Sequence, residues 1–265
     1  LRSVVPVPTY SMYAVLTGQR DAELVSVPRK GAEELYALDV EAMIAALPGA
    51  GAVWLCVPNN PTGTPETRED LLAILDAGAV LPHGGPAVVV DEAYIEFNGV
   101  SLVELRERYP ALIVVRTLSK AFAMTGLRVG YCVAARKTIK QLERVRPPGS
   151  LNTLSAKAAA RALRQPEIAA ANAQALCDER EWLGVRLAQA GLPPTPSVTN
   201  FLLCRIGTPG EADELNETLL RGGIVVRTFG PDSPLAGHLR FTVRDREQNE
   251  RLLSIIEAWT AGRSA

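Results

Sequence analysis

Short apolar, β-branched runs recur through the first half of the chain, separated by polar segments with helical spacing. The runs cover residues 4–7, 23–27, 52–57, 87–90, 112–115 and 129–134. Their length and Val/Ile content predict buried strands. Between them the pattern predicts helices from about Met12 to Gly18, over residues 39–47 and over residues 138–145. A further helix is expected to start at Thr64 as cap, with Pro65 in its first turn, and to run to about Ala77. After about Asn152 the pattern changes. An Ala-rich helix is expected over 155–163. A long helix follows from Pro166 to about Gly191, with Ala169, Ala173, Leu176, Leu183, Leu187 and Ala190 on one stripe. Strands at 200–204, 224–227 and 239–243, a helix at 213–221 and a terminal helix carrying Leu252, Leu253, Ile255, Ile256 and Trp259 complete the pattern. The expectation is an α/β unit to about residue 150, then helices with a small sheet, the two sharing a cleft.

Composition narrows the function classes. The chain has 265 residues, 28 Lys and Arg against 29 Asp and Glu, and a net charge of −1. Without a basic cluster, nucleic acid and anionic membrane are not expected partners. No apolar run reaches membrane-spanning length and no signal-peptide pattern opens the chain. Cys56, Cys132, Cys177 and Cys204 lie far apart in apolar runs, which predicts buried free thiols in a reducing compartment. With His83 and His238 as the only histidines, a histidine-based metal site or triad has little support, and no metal is expected.

The informative chemistry sits just past predicted strand ends. Arg116-Thr117-Leu118-Ser119-Lys120 follows the 112–115 run, and Arg128 follows in Gly126-Leu127-Arg128-Val129-Gly130. A lysine at a sheet edge near other cations has a lowered pKa and suits Schiff-base chemistry. The hydroxyls of Thr117 and Ser119 and the guanidinium of Arg128 suit a phosphate. Together they describe a seat for a phosphorylated aldehyde, whereas a Ser-Lys pair alone reads more readily as a surface loop. Pro58-Asn59-Asn60-Pro61-Thr62-Gly63 makes a rigid loop where open α/β sheets bind ligands, and the Asn60 amide can donate to a ring oxygen. It also fits an ordinary Asn-Pro turn. Asp91 ends the 87–90 run, where a carboxylate can keep a pyridine ring protonated, and Tyr94 can bond a ring hydroxyl. An Asp-Glu pair there equally fits a metal ligand or a helix cap. Tyr10 can stack on a planar ligand or be an ordinary core or surface tyrosine.

This succession resembles the fold-type I pyridoxal-phosphate aminotransferases, most of all their histidinol-phosphate aminotransferase branch. The matching stretches are Pro8-Thr9-Tyr10-Ser11-Met12-Tyr13, Pro58 to Gly63, Asp91-Glu92-Ala93-Tyr94-Ile95-Glu96-Phe97, Arg116 to Phe122, Gly126 to Tyr131 and Leu239-Arg240-Phe241-Thr242-Val243. They span nearly the whole chain. The resemblance implies a PLP-transferase fold, with a mostly parallel sheet flanked by helices in a large domain, residues 1–152, and a smaller α+β domain, residues 153–265. It implies pyridoxal 5′-phosphate as cofactor, an amino donor and a 2-oxo acid as substrates, a homodimer and a cytoplasmic enzyme. Position by position it implies that Lys120 forms the Schiff base and shuttles the proton, with Asp91 and Tyr94 also catalytic. Asp91 would pair with the ring nitrogen, Asn60 and Tyr94 with the ring oxygen, and Tyr10 with the ring face. Ser119, Arg128 and, less strongly, Thr117 would hold the phosphate. Arg240 would take a substrate carboxylate and Arg227 the substrate's own phosphate.

The resemblance also sets expectations about what differs. The family's Gly-rich phosphate loop, its N-terminal arm and the tyrosine that reaches the neighbouring subunit would precede Leu1, so the cofactor site is expected to be incomplete in this stretch. The segment Arg146-Pro147-Pro148-Gly149-Ser150-Leu151-Asn152 lacks an aromatic common in relatives, and Arg244 stands where glycine is common. The expected reaction is transamination of histidinol phosphate with 2-oxoglutarate in histidine biosynthesis. The alternatives are an aromatic amino-acid aminotransferase or a threonine-phosphate decarboxylase of the same fold. A PLP-dependent transcription regulator would need an upstream DNA-binding domain, and a non-catalytic binding module has no need for Lys120, Asp91 and Arg128 together.

Overall fold

The computed structural model describes residues 1–97 and 99–263. Six apolar runs form strands β1 (Arg2–Val7), β2 (Glu23–Pro28), β3 (Ala52–Cys56), β4 (Ala87–Asp91), β5 (Leu112–Thr117) and β6 (Gly130–Ala134). They make one sheet in the order β2-β1-β3-β4-β5-β6, with every pair parallel except β5–β6. Val88, Val89 and Val90 of β4 are all buried, as expected for a central parallel strand covered on both faces. On one face α2 (Val40–Ala46) and α3 (Arg68–Ala79) bring Met43, Leu71 and Ile74 onto Val53, Leu55, Val88 and Val90. On the other, Tyr13 of α1 (Met12–Gly18) packs on Val5 and Cys56. Beside it α4 (Arg136–Val145) sets Ile139 and Leu142 against Val89 and Ile113.

The second half contains α5 (Thr153–Ala162), α6 (Pro166–Gln189), β7 (Phe201–Arg205), α7 (Pro209–Arg221), β8 (Arg227–Thr228), β9 (His238–Thr242) and α8 (Arg246–Arg263). The three strands form an antiparallel sheet in the order β7-β9-β8. The apolar stripe of α6 is shared between two cores. Ala169 and Ala173 pack with Tyr94, Phe97 and Phe201, while Leu183 and Leu187 pack with Leu202, Leu215, Phe241 and Leu253. One rigid helix thus spans the junction between the two sheets.

Several element boundaries differ from the sequence expectation. Thr64 does not cap α3, because its hydroxyl is bonded to that of Thr62 inside the preceding loop; Thr67 is the cap, accepting from the Asp70 amide. Helix α7 starts before Asp213, since Thr208 and Glu211 form a reciprocal capping box with Pro209 in the first turn. Helix α5 likewise starts at Thr153 under an Asn152 cap. The strand expected at 224–227 shortens to Arg227–Thr228. Gly223 turns back with φ +75° and the Ile224 amide bonds Leu219, so the run is used in leaving α7. Of the four free cysteines, Cys56 and Cys204 are buried, whereas Cys132 and Cys177 are only half-buried on strand and helix faces.

A buried ion pair anchors the loop between β3 and α3. Arg29 Nη1 lies 2.5 Å from Glu66 Oε1, with the two side chains 0% and 2% exposed, and also donates to the Tyr36 carbonyl. Glu66→Ala leaves that guanidinium without its counter-ion and is expected to cost about 3–5 kcal/mol of unfolding free energy in urea titration. A loss below about 1 kcal/mol, the size of an ordinary surface change, would show that the pair does not anchor the loop.

Candidate active site

Parallel pairing brings the carboxyl ends of β1, β3, β4 and β5 to one edge of the sheet, where open α/β sheets bind ligands. A cavity of about 940 Å³ opens there, closed on its far side by residues 227–230, 233–235 and 240, from β8, β9 and the loop between them. Tyr10, Asn60, Asp91, Tyr94, Thr117, Ser119, Lys120, Arg128, Arg227 and Arg240 all line it. The structure therefore brings all ten sequence-predicted site residues to one cavity.

The loops that carry them are locked by short-range hydrogen bonds. Asn59 is fully buried; its amide donates to Pro8 O and Thr62 Oγ1, and its Oδ1 accepts from Thr9 Oγ1 at 2.8 Å. It joins the loop after β1 to the loop after β3, and so sets Tyr10 relative to Asn60. Gly63 has φ +80° and packs directly against Ser197, a close approach that a Cβ would block. Thr117 Oγ1 accepts from the Ser119 amide at 3.1 Å, and Thr125 Oγ1 donates to Ser119 O at 2.6 Å. That turn folds Arg128, left-handed at φ 54°, back over the lip, with Nη1 donating to Thr125 O. Among the described residues Ser119 Oγ has no partner, so this hydroxyl is free to bind.

Across the cleft, Arg240 Nη1 donates to Asn60 Oδ1 at 2.5 Å. The Asn60 amide oxygen is thereby engaged, and its NH₂ is the group left to donate. The Arg240 guanidinium also stacks over Phe201, 4.6 Å from the ring centre, and Phe201 meets Tyr94 edge-on at 5.3 Å. Lys120 Nζ lies 5.1 Å from the centre of the Tyr94 ring. Arg227 is exposed on β8, directly opposite Arg240 of β9 in the sheet register.

The electrostatics are strongly biased. Among the described residues none of Lys120, Arg128, Arg227 and Arg240 has a carboxylate ion-pair partner, and Asp91 is the one carboxylate lining the cavity. Burial, then the charges of Arg240 and Arg128, lower the Lys120 pKa, with Asp91 pulling it back up. Burial raises the Asp91 pKa, opposed by a hydrogen bond from Tyr13, the Ala93 amide and the charge of Lys120. Burial also pushes the Tyr94 phenol up, so it remains a proton donor. An amine with a lowered pKa, an excess of cations and one carboxylate fit a flat anionic ligand with a carbonyl, a phosphate and a basic ring nitrogen.

Three structural residues escaped the sequence reading. Asn59 and Tyr13 stand inside the motifs quoted for their neighbours, and Tyr13 follows Tyr10 by one helical turn; its hydroxyl donates to Asp91 Oδ2 at 2.7 Å. Glu92 does not line the cavity. It is fully buried and holds Arg116 at 2.8 Å together with Ser101 Oγ and the Leu102 amide, so the Asp-Glu pair divides between two separate environments.

Comparison with known proteins gives a consistent set of relatives. The family model "Aminotransferase class I and II" matches residues 2–256. The histidinol-phosphate aminotransferase of Thermococcus gammatolerans is 35% identical over 98% of this chain and 70% of its own. That of Thermoanaerobacter pseudethanolicus is 38% identical over 94% of this chain and 68% of its own. The crystal structure of histidinol-phosphate aminotransferase from Sinorhizobium meliloti in complex with pyridoxal-5′-phosphate superposes with a TM-score of 0.89 at 25% identity. It covers 99% of this chain and 71% of the other.

The lowered Lys120 pKa has a measurable consequence. The folded protein binds this proton less tightly than the unfolded chain, so the charged amine costs stability below its depressed folded value. That cost vanishes as pH rises to the ordinary value of 10.5, where the amine loses its proton in both states. In thermal melts of the cofactor-free protein, Lys120→Met is expected to raise Tm near neutral pH, with the gain shrinking toward alkaline pH. A lower Tm, or a gain independent of pH, would contradict the electrostatic account.

Proposed function

The chain belongs to the aminotransferase class I and II family, whose members use pyridoxal 5′-phosphate, and on that premise we propose that it transfers the amino group of histidinol phosphate to 2-oxoglutarate. The observation that carries this reading is the cavity that sets four carboxylate-free cations against the single carboxylate Asp91. Such a site suits two phosphates, one on the cofactor and one on the substrate, together with the carboxylate of an oxo acid. The names of the curated relatives support the same substrate.

When bound, the cofactor supplies an electron sink for the pair left behind as a proton leaves the substrate α carbon. The chain's residues account for the rest. Lys120 Nζ would hold the cofactor's aldehyde carbon and, once displaced by the substrate amine, would accept the α proton and deliver it to that same aldehyde carbon. Asp91 holds the proton on the ring nitrogen. Asn60 Nδ2 and the Tyr94 hydroxyl would donate to the ring oxygen, and Tyr10 would cover the ring face. Ser119 Oγ and Arg128, with the Thr117 turn behind them, hold the cofactor phosphate. Arg240 takes the carboxylate of the oxo acid, and Arg227 takes the substrate phosphate.

Residues 1–152 then form the cofactor-binding unit and residues 153–265 the unit that supplies the substrate cations. A homodimer is proposed from the exposed apolar side chains Tyr10, Met12, Val15 and Leu16, which surround the start of α1 beside the cavity. Four free thiols fit a cytoplasmic setting. Among the described residues, no helix is long and apolar enough to cross a membrane.

Adding histidinol phosphate alone to the full-length, PLP-loaded protein is expected to bleach the visible absorbance of the bound cofactor and release one oxo product per site. Addition of 2-oxoglutarate should restore the absorbance. No change with histidinol phosphate, but bleaching by phenylalanine, would transfer the assignment to aromatic amino acids. Arg227→Ala is expected to raise KM for histidinol phosphate about tenfold or more, the scale of one charge-assisted hydrogen bond, and to leave KM for an unphosphorylated donor nearly unchanged. Equal effects on both donors would remove the phosphate role of Arg227.

A further inference from the structure

Tyr13 is 3% exposed and does not line the cavity, yet it touches the one cavity carboxylate. It sits in the first turn of α1, stacked on Trp54 of β3 with ring centres 5.3 Å apart and planes at 17°. On its other side the ring of Tyr10 stands edge-on at 5.5 Å. The phenol is therefore held by two aromatic neighbours, and its hydroxyl lies within reach of the Cys56 thiol and the Asp91 carboxylate. It donates to Asp91 Oδ2 at 2.7 Å, while the Ala93 amide donates to Oδ1 at 3.1 Å. With one protein donor on each oxygen, the plane of the carboxylate is set, and each oxygen keeps lone-pair capacity toward the cavity.

We infer that Tyr13 is a positioning residue that fixes the Asp91 carboxylate for its bond to the protonated ring nitrogen of the cofactor, an inference that rests on the pyridoxal-phosphate reading above. A hydrogen bond to a carboxylate favours its charged form, and the charged form keeps the proton on the ring nitrogen. Burial acts the other way on Asp91, so the Tyr13 bond offsets part of the desolvation of a group that must stay ionised. Burial also raises the Tyr13 pKa, so the phenol keeps its proton and acts only as donor. The turn that leads into α1, closed by the Tyr13 amide on the Tyr10 carbonyl, presents Tyr10 to the cavity and Tyr13 to Asp91. One local structure thus sets both the wall for the ring face and the partner for the ring nitrogen.

The test uses the full-length protein and two cofactors: PLP and its analogue with CH in place of the ring nitrogen. The analogue keeps the aldehyde, the ring hydroxyl and the phosphate but makes no bond to Asp91. By equilibrium dialysis, Tyr13→Phe is expected to weaken PLP binding about tenfold, the order of one charge-assisted hydrogen bond, and to leave binding of the analogue unchanged. Phenylalanine preserves the stack on Trp54, and thermal melts of the cofactor-free variant check that the fold is retained. In an Asp91→Ala background the same change is expected to have no effect on PLP binding. Equal weakening of both cofactors, no weakening of either, or a persistent effect without Asp91 would each overturn the inference. Wild-type protein that bound neither cofactor would overturn the pyridoxal-phosphate reading, and the inference with it.

Discussion

Parallel pairing of β1, β3, β4 and β5 is the constraint on which the rest of this structure depends. In a parallel sheet every strand ends on the same edge, so loops far apart in sequence are delivered to one place. Tyr10 follows β1, Asn60 follows β3, Asp91 ends β4 and Lys120 follows β5. Strand register fixes them to within the play of a few loop residues. That play is then removed by buried polar contacts: Asn59 joining two loops, Glu92 holding Arg116, and Arg29 paired with Glu66. The site is placed by the sheet and braced by side chains most of which, such as Asn59, Glu92 and Arg29, do not line it.

The charge arrangement follows from this placement. Strand ends crowd an amine, a carboxylate and a guanidinium into partly desolvated space, and the second sheet adds two more cations. Burial disfavours charge on both Lys120 and Asp91, while their mutual attraction favours it. The net result lowers the Lys120 pKa and raises that of Asp91, with the Tyr13 hydroxyl, the Ala93 amide and the Lys120 charge each favouring the ionised carboxylate. A site with both properties needs the sheet edge, the aromatic floor under Asp91 and the far wall together.

Most of the fold was legible in the sequence because buried parallel strands are nearly continuous apolar runs, and the chain punctuates them with Pro, Gly and Asn. The large-sheet strands and most helices follow from that pattern alone. What periodicity misreads are positions where a side chain prefers a tertiary partner. Thr64 looks like a helix cap, but Thr62 claims its hydroxyl, and the run at 224–226 looks like strand, but the exit from α7 uses it. The cavity residues were legible because chemistry-bearing side chains follow the strands in succession. Tyr13 was not, since an aromatic one helical turn past another reads as core packing, and only the fold reveals that its hydroxyl reaches β4.

The two sheets divide the work. The first carries groups suited to a flat ring and its phosphate. The second presents Arg227 and Arg240 side by side on neighbouring strands at the opposite wall. Besides the α6 packing, these halves meet through the bond from Arg240 to Asn60 in the cavity, through Ser197 and the Val198 amide on Gly63 at its edge, and through Tyr36 bonded to His238. The Arg240 bond orients the Asn60 amide so that its NH₂ can face the ring. A carboxylate arriving at Arg240 competes for the same guanidinium. In the proposed reaction, substrate binding at Arg240 would be coupled through this shared hydrogen bond to the Asn60 donor proposed for the cofactor ring.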